Sequence, residues 1–396
     1  MLPLKSDLVA TVLLLTTEYG EHIIGGLGRH VTDLTIEGSK CGITYIVITV
    51  SQDNYESYTI ENGIHVYRLL PWQKTSKDFL EYIRNINFRF TQFVLQELDY
   101  TFDLIHAHDW LMGIAANHIK KTLNLPLLST IHATETGRKL GMIDTISKTI
   151  IEYESNLIRN SNHIIVCSLY MKNVLKNELS CQTNKIEVIP NGIIPSNYQS
   201  VLEREEAFKS FSFINSPFIL AMGRLVKEKG FHLLIQAFSE IVDDYPDLYL
   251  VIAGVGPYQN ELIQLAMDLH IENKIKFPGF VNEQERNTLL SRCEIVVVPS
   301  LYEPFGIISL EGMIAAKPVV SFNIGGLAEI LAHNRGLIVN ELSSKCLGEI
   351  LQSYLLQPLK YNNMVMSGFE AASSQYNLSN LIYHTVELYR KITNKR

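Results

Sequence analysis

Cysteine is scarce and unpatterned. The five present (Cys41, Cys167, Cys181, Cys293, Cys346) are odd in number, widely scattered across 396 residues and without a Cys-x-x-Cys pair. That excludes a disulfide framework and a cysteine zinc site, and a reducing cytoplasm is the expected compartment. Long apolar runs are also missing: no stretch reaches the roughly 18 residues of a membrane-spanning helix. The apolar run at residues 8–15 is short, preceded by Asp7 and followed by Thr16-Thr17-Glu18 rather than a small-residue cleavage site. It is expected to be a buried strand, not a signal-peptide core. Positive charge is in deficit, with 34 Lys and Arg against 41 Asp and Glu and a formal charge of −7. A broad nucleic-acid surface is therefore excluded. The basic cluster Arg390, Lys391, Lys395 and Arg396 allows weak peripheral contact with an anionic membrane, although basic residues ending a helix also complement its dipole. With 46% hydrophobic and 19% charged residues and no low-complexity tract, the composition is that of a soluble globular α/β protein.

What is present is an alternation of short β-branched apolar runs with helical patterns, the signature of parallel sheets with crossover helices. Strands are expected at residues 8–15, 44–49, 65–69, 104–106, 127–131, 163–166 and 186–189, and a fresh series at 218–222, 248–253, 274–277, 294–298, 319–321 and 336–339. Helices are expected between them, for example at 231–243, 259–269 and 307–316. Two Rossmann-like, doubly wound domains follow, joined near Pro190-Asn191-Gly192 and facing across a cleft. The expected division is 1–194 and 195–375, with a helix at 376–396 returning toward the N-terminal domain. Open parallel sheets bind ligands beyond the carboxyl ends of their strands, so functional motifs should fall just after strands.

They do. After the first strand comes His22-Ile23-Ile24-Gly25-Gly26-Leu27-Gly28-Arg29-His30, a glycine-rich turn opening a helix, where backbone N–H groups of Gly25 and Gly26 can approach phosphate. The spacing is not Gly-x-Gly-x-x-Gly, because Val31 stands where the last glycine is needed, and such a turn also serves purely structural ends. Two later loops, Ala107-His108-Asp109-Trp110 and His132-Ala133-Thr134-Glu135-Thr136-Gly137-Arg138, should overhang the cleft. They offer His132 as a site residue and Asp109, Trp110, Glu135 and Arg138 as acceptor contacts. His106, His108 and His132 are not expected to hold a metal: the first two lie on one extended segment and no carboxylate cluster accompanies them.

In the second half, Gly223-Arg224-Leu225-Val226-Lys227-Glu228-Lys229-Gly230 holds an Arg and a Lys between glycines at a helix start, suited to a diphosphate unless it is only a solvated charge cluster. Gly254, Gly256 and Val281 lie in backbone-rich loops that suit a flat nucleobase or simply make turns. Then comes Leu301-Tyr302-Glu303-Pro304-Phe305-Gly306-Ile307-Ile308-Ser309-Leu310-Glu311, two carboxylates eight positions apart across a turn and a helix start. A helix start presents unpaired N–H groups and partial positive charge to an anion, while the carboxylates accept hydrogen bonds from sugar hydroxyls. Gly325-Gly326-Leu327 completes the rim.

In this order, these motifs make the chain resemble the family 4 retaining glycosyltransferases of GT-B fold over essentially its whole length. The wording Gly-Gly-Leu-Gly-Arg-His-Val and Ser129-Thr130-Ile131-His132-Ala133-Thr134 is most similar to the glycogen-synthase-like α-glucan branch. The resemblance implies that Arg224 and Lys229 grip the donor diphosphate, Glu311 binds the ribose and Glu303 the donor-sugar hydroxyls. It also implies that His132 lies beside the reacting sugar, that the Gly26 backbone meets phosphate, and that the turn Phe305, Gly306, Ile307 holds sugar and phosphate through its N–H groups. One departure weakens the link to ADP-glucose and a glucan acceptor: glycogen synthases usually carry Lys just before the paired glycines, where Ile23-Ile24 stand here.

The expected activity is retaining transfer of a hexosyl group, glucose or a related sugar, from a UDP-sugar, with ADP-sugar as second choice, to an acceptor hydroxyl. No cofactor and no metal are expected, and no Asp-x-Asp metal clamp occurs in the sequence. A cell-surface polysaccharide, a lipid-linked sugar or a secondary metabolite remain alternative acceptors. A non-catalytic sugar-nucleotide-binding protein is the alternative of another class; its expected mark, loss of His132, Arg224, Lys229 or Glu303, is not present.

Overall fold

The computed structural model describes residues 9–20, 25–73, 75–199 and 211–393. The run at 8–15 is therefore seen from Val9 on, while His22-Ile23-Ile24, much of the linker before Ser216, and Lys395-Arg396 lie outside the described residues. The chain divides into two compact units, Met1–Asn191 with Leu378–Arg396, and Gly192–Asn377.

The first unit is built on an eight-stranded sheet: β1 Ala10–Leu15, β2 Ile43–Val50, β3 Ser57–Glu61, β4 Ile64–Leu69, β5 Leu104–His108, β6 Leu127–Ile131, β7 His163–Val166 and β8 Ile186–Val188. Their order is β3-β4-β2-β1-β5-β6-β7-β8, parallel except for β3. The parallel strands read as continuous apolar runs because helices cover the sheet. Leu14, Val47, Leu104 and Leu128 share a core with Tyr389 and Ile382 of the helix Leu378–Thr393.

β3 was not expected from the sequence. Tyr58, Thr59 and Ile60 are exposed, so it lacks the apolar alternation of a half-buried strand. The legible signal was the two-residue loop Asn62-Gly63, at φ 52° and 80°, between the paired Glu61 and Ile64; positive φ at both positions is the hairpin turn that Asn-Gly favours.

The second unit holds six parallel strands, β9 Phe218–Met222, β10 Tyr249–Ala253, β11 Ile275–Gly279, β12 Ile295–Val298, β13 Val319–Phe322 and β14 Leu337–Val339, in the order β11-β10-β9-β12-β13-β14. Its core, including Ile219, Phe231, Phe238, Leu250, Val297 and Phe322, is its own. The expected helix at 231–243 is shorter, Phe231–Ser239, and a 3-10 turn at Val242–Asp244 follows it. The helix expected at 307–316 runs Ile307–Ile314 and stops before Ala316, which takes a left-handed φ of 53°.

Strand order reverses at β1 and at β9: each lies between the strand that follows it and one much later in the chain. Such switch points open a crevice at the carboxyl ends of the strands. The loops after β1, β5 and β6, and those after β9, β10 and β12, are the ones that carry the motifs.

Candidate functional site

In the second unit the loop after β9 is shaped by close backbone approaches. At Gly254 (φ +141°) a Cβ would lie 1.9 Å from the Gly223 carbonyl oxygen, and at Gly256 it would lie 2.3 Å from that of Leu225. Only glycine permits this packing. Leu225 N–H donates to the Val255 carbonyl and Tyr258 N–H to that of Leu225. Gly254 and Gly256 therefore fix the segment that bears Arg224. Gly230 does the same on the other side: its Cβ would meet the Pro299 carbonyl oxygen at 1.9 Å, and Leu301 N–H donates to the Glu228 carbonyl.

The consequence is that Lys229 Nζ lies 2.5 Å from Glu303 Oε2, although 74 residues separate them in sequence. Ser300 Oγ donates to the same oxygen at 3.2 Å. Arg224 is more exposed, and its guanidinium is 3.4 Å from Glu228. Gly326 N–H donates to the Glu303 carbonyl, and Gly306 (φ +108°) caps the helix Ile307–Ile314 with Phe305 buried against the edge of Tyr376. Ile307 begins that helix and is half-buried; Val281, also half-buried, follows β11.

Glu311 is 2% exposed. One carboxylate oxygen accepts Tyr198 Oη–H at 2.9 Å and lies 3.3 Å from Arg286. Its other oxygen, and the Arg286 Nε and one terminal nitrogen, are buried without a hydrogen-bond partner. Interiors rarely leave such groups unpaired, so these three atoms mark an acceptor and two donors with hydrogen-bonding capacity in reserve. Neither Arg286 nor Tyr198 was singled out from the sequence. The available signal was a cation near the start of the helix Glu283–Arg292, where the dipole disfavours positive charge.

In the first unit, Gly25 precedes the helix Gly26–Lys40, and its N–H donates to Glu18 Oε2 at 3.0 Å. That helix start already accepts an anion. Asp109 follows β5 with φ 60°, a left-handed conformation unusual outside glycine, and its buried carboxylate accepts the His132 N–H at 2.7 Å and faces Arg138 at 3.4 Å. Burial raises the Asp109 carboxyl above its ordinary value, against the opposing pull of Arg138.

Three residues expected to face an acceptor are thus buried and engaged within the unit. Asp109 holds the His132 loop; Trp110 packs against Tyr153, with ring centroids 5.9 Å apart; and the Glu135 carboxylate accepts Ser147 Oγ–H at 2.9 Å. The two carboxylates are satisfied by hydrogen bonds inside the fold, whereas the Trp110 indole is buried by ring packing with its Nε1 left without a partner. Arg138 remains half-exposed.

His132 lies in the loop after β6, its Nε2 3.0 Å from His108 Nδ1. Burial, reinforced by the charge of Arg138, lowers its pKa to about 3, so the ring is neutral. His106 belongs to the fold instead: Nδ1 meets Tyr389 Oη at 2.8 Å and Nε2 meets Thr130 Oγ1 at 2.7 Å. His30 of the helix Gly26–Lys40 packs edge-on to His132 at 5.2 Å, and burial lowers it too to about 3. His30 was not singled out from the sequence, because helical and loop positions a hundred residues apart give no joint signal.

Comparison with known proteins agrees with these motifs. The family model of glycosyl transferases group 1 matches residues 203–370, and that of glycosyltransferase family 4 matches residues 24–197. An uncharacterized glycosyltransferase of Methanocaldococcus jannaschii is 31% identical, covering 96% of this chain and 97% of its own length. Glycogen synthase of Mycobacterium tuberculosis is 28% identical, covering 96% and 94%. The crystal structure of Anabaena HepE with UDP-glucose superposes with a TM-score of 0.78 at 19% identity, covering 96% of this chain and 100% of that one. Motif order, two Rossmann-like sheets and full-length similarity agree: the chain belongs to glycosyltransferase family 4 and is a nucleotide-sugar glycosyltransferase of GT-B fold.

Proposed function

We propose that the protein transfers a glucosyl or related hexosyl group from a UDP-sugar, or an ADP-sugar as second choice, to an acceptor hydroxyl with retention, forming an α-glycosidic bond. The observation that carries this reading is the meeting of Lys229 and Glu303 beside the start of the helix Ile307–Ile314. In the reaction the bond from the anomeric carbon to the diphosphate oxygen breaks. The acceptor oxygen bonds to the same face, and its proton passes to a phosphate oxygen of the leaving group. Arg224 and Lys229 stabilise the negative charge that grows there, a preorganised electrostatic role. Without donor, Lys229 neutralises Glu303; with donor, it turns to the diphosphate and releases Glu303 to the sugar hydroxyls. The unpaired Glu311 oxygen and Arg286 nitrogens offer the ribose an acceptor and donors. His132, held neutral by burial and with its backbone N–H fixed by Asp109, serves the reacting sugar, and no metal takes part in the step.

The test is a thermal-shift screen of sugar nucleotides followed by mass spectrometry of products formed with candidate acceptors, in excess chelator. UDP-glucose is expected to stabilise the protein. Lys229→Ala and Glu303→Ala should stay folded and lose transfer by about 10²–10³-fold, as removal of a transition-state charge contact does. Near-normal turnover in both variants, or activity that depends on added magnesium, overturns the reading.

A further inference from the structure

Three imidazoles from separate elements of the first unit converge: His30 from the helix Gly26–Lys40, His108 from the end of β5 and His132 from the loop after β6. One ring nitrogen of each lies within 4.8 Å of those of the other two. The His108 Nδ1 and His132 Nε2 atoms are 3.0 Å apart. Two nitrogens bound to one tetrahedral zinc at about 2.0–2.1 Å stand roughly 3.3 Å from each other, so this pair is already near chelating distance.

A second observation is independent of the spacing. His108 is fully buried, and its Nε2 has no hydrogen-bond partner. No neighbour fixes a proton on either side of this ring, so Nε2 can carry it and leave Nδ1, the atom that meets His132, as a lone-pair donor, unlike in its neighbour His106, both of whose nitrogens are taken. His30 and His132 are only half-buried, which leaves one side open for an ion to enter and for a fourth ligand.

We propose that His30, His108 and His132 form a three-imidazole site for Zn(II), with its fourth position open, and that its occupancy inhibits transfer by withdrawing His132 from the reacting sugar. Three imidazoles without a carboxylate select zinc and its borderline neighbours over magnesium or calcium, which demand oxygen ligands. On binding, the proton between His108 Nδ1 and His132 Nε2 moves to the other nitrogen of the ring that carries it, so both rings bind as neutral imidazoles and two coordinate bonds replace that contact. The inhibitory half rests on the glycosyl-transfer reading; the binding half does not.

Both halves are tested on the full chain. Titration with Co(II) should give one tightly bound ion per chain with the intense visible absorption of four-coordinate cobalt, displaced by Zn(II). His30→Gln, and His30→Asn as a second variant, should fold as the parent does and lose that spectrum. In chelator both should transfer like the parent, and their half-inhibitory Zn(II) concentration should rise at least about tenfold, since even outer-shell losses cost that much affinity. A pale six-coordinate cobalt spectrum in the parent, or unchanged metal binding in both His30 variants, overturns the site. The expected cobalt spectra with undiminished transfer at saturating zinc overturn the inhibition, and the same spectra with no transfer by any protein retain the site while the glycosyl-transfer reading fails.

Discussion

Glu154 is a buried carboxylate, 2% exposed, on the helix Thr145–Asn160. One of its oxygens accepts the Glu135 N–H at 2.8 Å, and the other is buried without a partner. Burial, aided by the nearby charges of Asp109 and Glu135, raises its pKa from 4.5 to about 8. An unfolded chain sheds this proton near pH 4.5, whereas the folded chain keeps it to about pH 8. Between these values the folded state binds more protons, so this group's contribution to stability falls as pH rises and then levels off. Each pKa unit is worth about 1.4 kcal/mol, which makes the effect a few kcal/mol in order of magnitude. Glu154→Gln keeps an acceptor for the Glu135 N–H and has no charge to gain. Its melting temperature relative to the parent should therefore climb between pH 5 and pH 8; parallel melting curves for the two proteins would refute the assignment. At this scale the sequence was partly legible. His132 directly follows a buried strand, and Lys229 and Glu303 lie within three residues of a glycine in loops that follow strands, where local pattern exposes them. Glu154, His30 and Arg286 lie inside ordinary helices, and only packing across the fold gives them neighbours that matter.

The elements show what a loop needs in order to aim a side chain. Gly230 holds φ +67° with the Pro299 carbonyl oxygen 1.9 Å from where a Cβ would stand, while Gly25 has nothing within 4 Å. The same substitution should thus have two outcomes. Gly230→Ala must displace backbone on one side or the other, costing about 3 kcal/mol or more, and it should weaken UDP-glucose binding because Lys229 moves with it. Gly25→Ala, at an extended φ of −151°, should change stability by about 0.5 kcal/mol or less. Urea unfolding of both variants measures the difference, and equal midpoints would show that the loop yields freely. Strands such as β6, β7 and β9 were legible to the residue because each is a buried parallel run bounded by polar turns. The solvent-exposed β3 was not, since pairing to β4 rather than burial makes it a strand.

At the scale of the whole molecule, the chain passes from the first unit to the second after Asn191 and returns after Asn377. The returning helix Leu378–Thr393 completes the core of the first unit. Its Ile382, Val386, Leu388 and Tyr389 are buried there, and Tyr389 Oη bonds His106 on β5. At about 1.5–3 kcal/mol for each fully buried apolar side chain, these four contribute roughly 6–12 kcal/mol. That is comparable to the net stability of about 5–15 kcal/mol of a whole domain. The second unit, with its core contained in Gly192–Asn377, has no such debt to the helix. A chain ended after Asn377 should therefore lose hydrogen-exchange protection throughout β1–β8 while keeping it in β9–β14. It should also retain thermal stabilisation by UDP-glucose, because Arg224, Lys229, Glu303 and Glu311 all belong to the second unit. Protection preserved in β1–β8 would show that the helix is dispensable to that core. Protection lost in both sheets would show that the second unit cannot stand on its own core.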